Sequence, residues 1–271
     1  MRALLSLLVV VVALINSIFA TSAEMLEPMV KTINDGEIIN LGKIGPGQTI
    51  DIVVNGVVKQ ARFGIEGRWQ VLRVVELPEG WQGFDSKELA TRMKAGVKAA
   101  ADAKDGDYKI AFRLEEDPNK QQGLGTVTFY IVISISRDIL NFTFQKEQIE
   151  TGVGQPARYP ITLKSTSAAS DVFDIYCNNM PTWNYKKSVH IPAGGAVSTF
   201  YEISSNEEKE YKPIIIIKSQ SSDEVKIEKE VNLIVKTDVV GDIKATKNGV
   251  LLFPIVLEPL YSLLGIIGSF L

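Results

Sequence analysis

Residues that could do chemistry are scarce in this chain. Its 271 residues include a single histidine, His190, and a single cysteine, Cys177. A structural zinc site takes about four Cys or His ligands, and nucleophilic catalysis usually pairs Ser or Cys with a neighbouring base. One residue of each type is too few for such a zinc site, and a catalytic set of the second kind would have to be built around His190 itself. We therefore expect no enzyme, no catalytic residues, no cofactor and no metal site.

His190 and Cys177 then have ordinary interpretations. His190 lies just ahead of a turn signal and is expected to be an exposed side chain on an edge strand. Cys177 follows Ile175 in an apolar run and is expected to be a small buried hydrophobe. An intermolecular disulfide is the alternative for Cys177, because an unpaired cysteine in an exported protein can bond to another chain.

Three carboxylates, Asp102, Asp105 and Asp107, lie around Gly106 and could offer oxygen ligands to calcium. Their spacing is not that of an EF-hand loop, and Asp and Gly are also the residues that a solvent-exposed turn requires. The pattern favours a solvated turn. A glycosidase that uses carboxylates alone would need two acids converging in one cleft, and no spacing in the sequence pairs them.

Aromatic and amide side chains indicate two kinds of surface chemistry. Trp69, Trp81 and Trp183 could each stack on a sugar ring. Trp81 and Trp183 occur at the same step of an internal repeat and are expected to be core residues, whereas Trp69 lies outside the repeat and is the candidate for ligand contact. Asn141 begins the sequence Asn-Phe-Thr and is a candidate glycosylation site.

The composition is that of a globular protein, with 45% hydrophobic and 23% charged residues. The formal net charge of −3 arises from 29 basic and 32 acidic residues, without a long block of either sign. Nothing in this distribution attracts a phosphate backbone, so nucleic acid is not an expected partner.

Residues 1–23 have the layout of a secretory signal peptide. An apolar run from Ala3 to Ile15 follows Arg2, and Ala23 is a small residue before a cleavage point. The run is shorter than the roughly 20 residues that span a bilayer, which favours a cleaved signal. An uncleaved anchor is the alternative, and both interpretations predict export.

Residues 249–271 form a second apolar segment. The 22 residues from Val250 onward would be about 33 Å long as a helix, enough to cross the hydrocarbon layer. Glu258 would be an intramembrane polar residue, stabilised by protonation, by a partner or by a position near the interface. Pro254 and Pro259 predict a kink. A strand or helix buried in a soluble core is the alternative.

Short runs of alternating polarity dominate the middle of the chain. In residues 126–135 every second side chain is large and apolar, which predicts a strand with one face in a core. Residues 89–99 fit either a strand or a short helix, and strand is favoured. Further strands are predicted at Thr49–Val54, Tyr159–Leu163, Val172–Cys177, Val197–Ile203, Lys212–Lys218 and Val225–Val235.

An internal repeat divides this region into two units. Each unit has a Gly-x-Gly-Gln turn, whose Gln48 or Gln155 can hydrogen-bond within the turn, then a proline near a tryptophan, then a tyrosine. The proline-to-tyrosine distance is 30 residues in both units, from Pro78 to Tyr108 and from Pro181 to Tyr211. The repeat predicts domains at 24–137 and 138–237, followed by a linker at 238–248.

The order of motifs in the second unit resembles the NEW-type immunoglobulin-like domains of archaeal and bacterial cell-surface proteins, which are related to CARDB modules. The first unit resembles them more loosely and has alanine where the family often has proline before Asp102. The resemblance implies an immunoglobulin-like fold and a setting outside the cytoplasm, with no common catalytic residues. The matching residues are Gly152–Gln155, Ser167–Asp171, Met180–Trp183, Ile191–Gly195 and Tyr211, and in the first unit Gly45–Gln48, Leu77–Trp81 and Ala101–Tyr108.

The sequence thus predicts an all-β protein with two tandem immunoglobulin-like antiparallel β-sandwiches, between a signal peptide and a C-terminal transmembrane helix. We expect it to be non-catalytic, to be anchored on the outer side of the cell membrane by lipid contact through residues 249–271, and to present its modules to a protein or glycan partner. The alternatives are an accessory subunit of a transport or export complex, docking through the tail with Glu258 facing its partner, and a carboxylate-only glycosidase.

Overall fold

The computed structural model describes residues 22–58, 67–87, 91–116, 124–181 and 183–236. The predicted linker at 238–248 and the predicted anchor with Glu258 lie outside these residues, as does the signal peptide up to residue 21. Every regular element in the described part of the chain is a β-strand. No helix long and apolar enough to cross a membrane is found among those residues.

The strands fall into two compact units. Among the described residues, unit 1 contains those up to Ile139 together with Thr166–Asp171 and Pro192–Gly194, and unit 2 contains the others from Leu140 to Lys236. The expectation of an all-β chain with immunoglobulin-like units is confirmed by the strand order of each unit, as described below.

Unit 1 has two main sheets and a short hairpin. One sheet has the order β2-β1-β4-β9-β8, the other has the order β3-β11-β10-β7, and β5 pairs with β6. The strands are β1 (Ala23–Glu27), β2 (Lys31–Ile33), β3 (Ile38–Ile44), β4 (Thr49–Asn55), β5 (Val57–Val58), β6 (Gly67–Arg68), β7 (Val71–Glu76), β8 (Gln82–Phe84), β9 (Arg92–Lys98), β10 (Gly106–Glu115) and β11 (Val127–Ile135).

This strand order is that of an immunoglobulin domain. In such domains strands A, B, E and D form one sheet, and C, F and G form the other. Here β1, β4, β9 and β8 take the first four positions, and β7, β10 and β11 take the other three. β3 then pairs parallel with β11, so the first part of the chain contributes a strand to each sheet.

Alternating burial explains why the two sheets of unit 1 pack together. Along β11 the odd-numbered residues are buried and the even-numbered ones are half-exposed, as predicted from the sequence. Phe112 of β10 and Phe129 of β11 stack in the core with ring centroids 5.5 Å apart. The ambiguous segment 89–99 contains strand β9, which confirms the preference for a strand over a helix.

Unit 2 has the same strand succession with one change of partner. Its sheets have the orders β12-β14-β17, β13-β21-β18 and β16-β15-β19-β20. Strand β16 therefore pairs with β15 and not with β17. The strands are β12 (Leu140–Phe144), β13 (Gln148–Thr151), β14 (Ala157–Ser165), β15 (Asp171–Asn178), β16 (Lys187–Ile191), β17 (Ala196–Ile203), β18 (Lys209–Tyr211), β19 (Ile214–Ser219), β20 (Lys226–Glu230) and β21 (Asn232–Val235).

Two strands that the sequence predicted as continuous are interrupted in unit 2. The predicted strand Lys212–Lys218 begins only at Ile214, because Pro213 has no N–H to donate to a ladder. The predicted strand Val225–Val235 breaks at Val231, whose N–H donates to the Pro213 carbonyl at 3.0 Å. The two breaks face each other, so a single proline divides both strands of this hairpin.

One tyrosine in each unit, in β10 of unit 1 and in β18 of unit 2, forms a hydrogen bond to the loop before its strand. The Tyr108 hydroxyl donates to the Lys104 carbonyl at 2.9 Å, the tyrosine corner typical of immunoglobulin-like domains. In unit 2 the Ser205 hydroxyl donates to the Tyr211 hydroxyl at 2.9 Å, so the same link runs through a serine side chain. These are the two tyrosines of the internal repeat.

Candidate interaction surfaces

Trp69, the residue expected to contact a ligand, lies in the core of unit 1. It has 0% exposed surface and belongs to the largest fully buried side chains. Its indole N–H donates to the Gly125 carbonyl at 3.1 Å, which satisfies its only polar atom. This burial corrects the expectation of a surface indole, because a sugar ring cannot stack on a face that is packed against protein.

Trp81 and Trp183 occupy equivalent turns with different burial. The backbone N–H of Trp81 donates to the backbone carbonyl of Pro78 at 3.2 Å. The backbone N–H of Trp183 donates to the backbone carbonyl of Met180 at 3.5 Å. Trp81 is 8% exposed and contacts Tyr108 with ring centroids 5.2 Å apart. Trp183 is only half-buried, although its indole nitrogen is enclosed, so the second turn buries its tryptophan less completely than the first.

Trp183 belongs to a group of three aromatic rings in unit 2, one of which is exposed. Its ring centroid lies 6.1 Å from that of Tyr185, which is 45% exposed. Tyr185 stacks at 5.8 Å on Tyr201, and the fully buried Tyr201 donates its hydroxyl to the Tyr185 carbonyl at 2.5 Å. Burial raises the pKa of the Tyr201 hydroxyl far above its usual value, so it remains a donor. The exposed ring of Tyr185 is thereby held in a fixed position.

Phe200 of β17 is a second exposed ring, with two cations beside it. Its side chain is 41% exposed. The Lys187 Nζ lies 4.1 Å from the ring centroid, and the Arg158 guanidinium lies 5.1 Å from it, within the range of cation–π attraction. Lys187 Nζ also donates to the Phe200 carbonyl at 2.9 Å.

A polar depression of about 420 Å³ lies on the outer face of the sheet that contains β15 and β19. Asp174, which is 8% exposed, accepts hydrogen bonds from Ser188 Oγ at 2.6 Å and Gln220 Nε2 at 2.8 Å. Lys186 Nζ lies 2.6 Å from its other oxygen. Lys218 and Asp223 form a second ion pair at 2.7 Å. The charges of this depression largely neutralise each other.

The carboxyl of Asp174 gives a pH-dependent prediction. Burial opposes its ionisation, but the hydrogen bonds from Lys186, Ser188 and Gln220 outweigh burial and lower its pKa. A carboxyl whose pKa is lowered on folding stabilises the fold above its ordinary pKa, and this contribution is lost as the pH falls through the folded value. We expect Asp174→Asn to lower the free energy of unfolding at neutral pH, with the deficit shrinking below about pH 4.

Urea titrations of both proteins between neutral and acidic pH measure this difference. Asp102→Asn is the control, because Asp102 is an exposed turn residue. If the difference in the free energy of unfolding between Asp174→Asn and the wild type stayed constant to the lowest pH measured, the lowered pKa of Asp174 would be contradicted.

A second depression, of about 380 Å³, lies on the outer face of β4, β9 and β8 in unit 1. Phe84, which is 51% exposed, lies over Gly96, where a Cβ would meet the Phe84 ring at 3.5 Å. Lys94 pairs with Asp51 at 2.7 Å. The depression thus combines an exposed ring with charged side chains on the outer face of the sheet.

The remaining predicted site residues have simple environments. Cys177 is buried, and burial raises the pKa of its thiol, which agrees with a small core residue. His190 and Asn141 are exposed on β16 and β12. In the Gly45 turn, Gln48 Oε1 accepts the Gly45 N–H at 2.8 Å, as the repeat predicted.

The three aspartates around Gly106 are all exposed. Asp105 forms an ion pair with Arg137, and Asp107 accepts a hydrogen bond from Ser134 at 2.5 Å. Within the described ranges, no three His, Cys, Asp or Glu side chains converge on a point that could hold a metal ion.

Comparison with protein families finds no match, and comparison with curated proteins finds none. Among solved structures, the fibronectin(III)-like modules of Clostridium thermocellum CbhA are 11% identical, with 79% of this chain and 94% of that chain covered and a TM-score of 0.27. A chimeric titin Z1Z2 is 11% identical, with 82% and 100% covered and a TM-score of 0.34. The D0-D1 domain of intimin is 11% identical, with 72% and 94% covered and a TM-score of 0.27.

Likeness at this level carries no argument about function, and the immunoglobulin-like assignment rests on the strand order and the tyrosine corner. The exposed rings of Phe84, Tyr185 and Phe200 were not singled out from the sequence. For Phe200 a signal was available, because it occupies an outward position in the alternation of β17.

Proposed function

We propose that this protein is a non-catalytic, exported binding or structural component. Residues 249–271 attach it to the cell membrane, and its two immunoglobulin-like units are presented on the outer side to a protein or glycan partner. Export is proposed from the apolar layout of residues 1–23, and attachment from the length and apolarity of the tail.

The observation that carries the proposal is the pair of β-sandwiches that carry exposed aromatic rings on their strands and turns. Immunoglobulin-like sandwiches serve widely as cell-surface modules. Exposed aromatic side chains are the residues most enriched in binding sites for proteins, and they also stack on flat ligands. Tyr185 and Phe200 provide such rings in unit 2, each held in place by a hydrogen bond or a cation.

The polar groups of the described surface support binding over catalysis. In the 420 Å³ depression Asp174 is ionised and held by Lys186, so it is neither a free base nor a proton donor at neutral pH. A carboxylate-only glycosidase would need one acid with a raised pKa facing a second carboxylate. Asp174 and Asp223 are both held in the charged form by lysines, and hydrogen bonds lower the pKa of each.

Deleting residues 249–271 tests the membrane attachment. We expect the truncated chain to leave the membrane fraction and appear in the soluble fraction, because the proposed anchor supplies the apolar contact with lipid. Fractionation of membranes followed by immunoblotting measures this shift. The mature N-terminus is sequenced in the same samples, so that an uncleaved signal is recognised as a second anchor.

Glu258→Leu is the matched control, because it keeps the length and apolarity of the tail. We expect it to stay in the membrane fraction, and unchanged fractionation of the deletion variant would contradict the anchor. Copurification after mild detergent extraction tests the alternative, an accessory subunit. If the chain is such a subunit, a membrane protein copurifies with the wild-type chain and is lost from Glu258→Leu.

A further inference from the structure

Strand β17 of unit 2 is an edge strand with eight residues. In unit 1 the corresponding strand β9 is covered by β8, whereas in unit 2 the corresponding position beside β17 is taken by no strand of the described residues, because β16 pairs with β15. A long uncovered edge offers a row of backbone groups to another strand, and natural proteins usually block such edges.

Pro160 determines which backbone groups of β17 point outward. Pro160 of β14 lies opposite Phe200, and its carbonyl accepts the N–H of Gln145 at 3.2 Å, away from β17. Pro160 and Phe200 are therefore a non-hydrogen-bonded pair, so the N–H and C=O of Phe200 point away from β14. At the other end Ser165 N–H donates to Gly195 O at 2.8 Å, which fits the same alternation.

The outward groups of β17 therefore belong to the even-numbered residues. Their positions are spaced evenly on either side of Thr199. Ser198 and Phe200 are each one residue from it, and Ala196 and Glu202 are each three residues from it. An antiparallel strand of identical sequence, centred at Thr199, would oppose every outward residue with another outward residue. Each of the four pairs exchanges two bonds, about eight backbone hydrogen bonds in all.

We propose that the β17 edge is an interface between two copies of this chain, joined as an antiparallel two-fold pair centred on Thr199. A two-fold interface must be complementary to itself, and this register meets that requirement. Glu202, whose Oε1 pairs with Arg158 of the same chain at 2.6 Å, would lie opposite Ala196 of the second copy, whose cross-strand neighbour in β14 is the exposed Lys164. The small alanine leaves room for the lysine to approach the carboxylate.

Aromatic contact supports the same register. Phe200 would lie opposite Ser198 of the second copy, and the two Phe200 rings would be diagonal neighbours on one face, a separation that aromatic side chains can bridge. The ring is 41% exposed in the single chain. Its burial in the pair would remove an exposed apolar side chain from water.

In the single chain the Lys187 side chain occupies one backbone acceptor of the β17 edge. Its Nζ donates to the Phe200 carbonyl, one of the acceptors that the second copy would use. Lys187 lies on β16, and a lysine side chain bonded to a strand edge is an obstacle to strand addition. Pairing of two β17 edges therefore requires the hydrogen bond from Lys187 to the Phe200 carbonyl to break. Removing the Lys187 amino group should strengthen the association of the two copies.

Cysteine cross-linking of the full chain tests the register. At a two-fold centre the two Thr199 side chains face each other directly, so Thr199→Cys should form a disulfide-linked dimer under mild oxidation. Val197→Cys is the matched control, because it is equally half-buried on the same strand but would oppose Tyr201. We expect Thr199→Cys to cross-link at least about tenfold faster than Val197→Cys, since a disulfide needs closely apposed Cβ atoms.

Two further variants decide whether the edge itself is used. Ser198→Pro removes an outward N–H that β14 does not need, so it should abolish cross-linking in the Thr199→Cys background while the fold is kept, as judged by thermal unfolding. Lys187→Met should increase cross-linking. Equal cross-linking of both cysteine variants, none in either, or no effect of a folded Ser198→Pro variant would overturn the proposal. The wild-type chain, with the buried Cys177 alone, gives the background.

Discussion

Trp69→Ala is expected to lower the free energy of unfolding of unit 1 by about 3–5 kcal/mol, the usual cost of removing a large aromatic side chain from a core. The Trp69 side chain is fully buried, and its loss would leave both a cavity and an unpaired Gly125 carbonyl. A domain of this size is stable by about 5–15 kcal/mol, so about a fifth or more of the stability would be removed. Urea unfolding followed by circular dichroism measures the change.

Trp183→Ala is the informative comparison, because Trp183 occupies a repeat position but is only half-buried. We expect it to cost less than half as much as Trp69→Ala. If Trp69→Ala changed stability by less than Trp183→Ala, the packing around Trp69 described above would be wrong, and a ligand-binding role for its indole would regain support.

The burial of Trp69 could not be predicted from local sequence. It follows the two-residue strand β6 and precedes β7, so no alternating run includes it. Its indole bonds to Gly125, 56 residues further along the chain. Only that long-range contact makes the position internal, and a contact of this kind leaves no periodic signal.

Other features were accessible from the sequence for a clear physical reason. The alternation in residues 126–135 predicted a strand with one buried face, and β11 has that pattern. The repeat predicted that Tyr108 and Tyr211 occupy equivalent positions, and each hydrogen-bonds to the loop before its strand. These signals are local, so neighbouring residues alone specify them.

The pairing partners of the edge strands could not be predicted from the sequence. Strand β8 completes the sheet beside β9, whereas β16 joins β15 in the opposite sheet, and both are short strands with nothing local to distinguish their partners. Pro160 would ordinarily argue against a central strand. Pro160 is tolerated in β14 because its backbone nitrogen points away from β17, so the bonds between these two strands need no N–H there. This orientation depends on the register of β12, β14 and β17.

The central claim, that both units lie outside the cytoplasmic membrane, is tested most directly by labelling exposed cysteines on sealed spheroplasts with a membrane-impermeant maleimide. Glu79→Cys reports on unit 1 and His190→Cys on unit 2, because both side chains are exposed. The wild-type chain is the control, since its Cys177 is buried and burial raises the pKa of the thiol, which slows its reaction.

We expect both engineered cysteines to react before the spheroplasts are lysed, to the same extent as after lysis, while the wild-type chain stays unlabelled. Reaction of both cysteines only after lysis would put the two units in the cytoplasm and contradict the account.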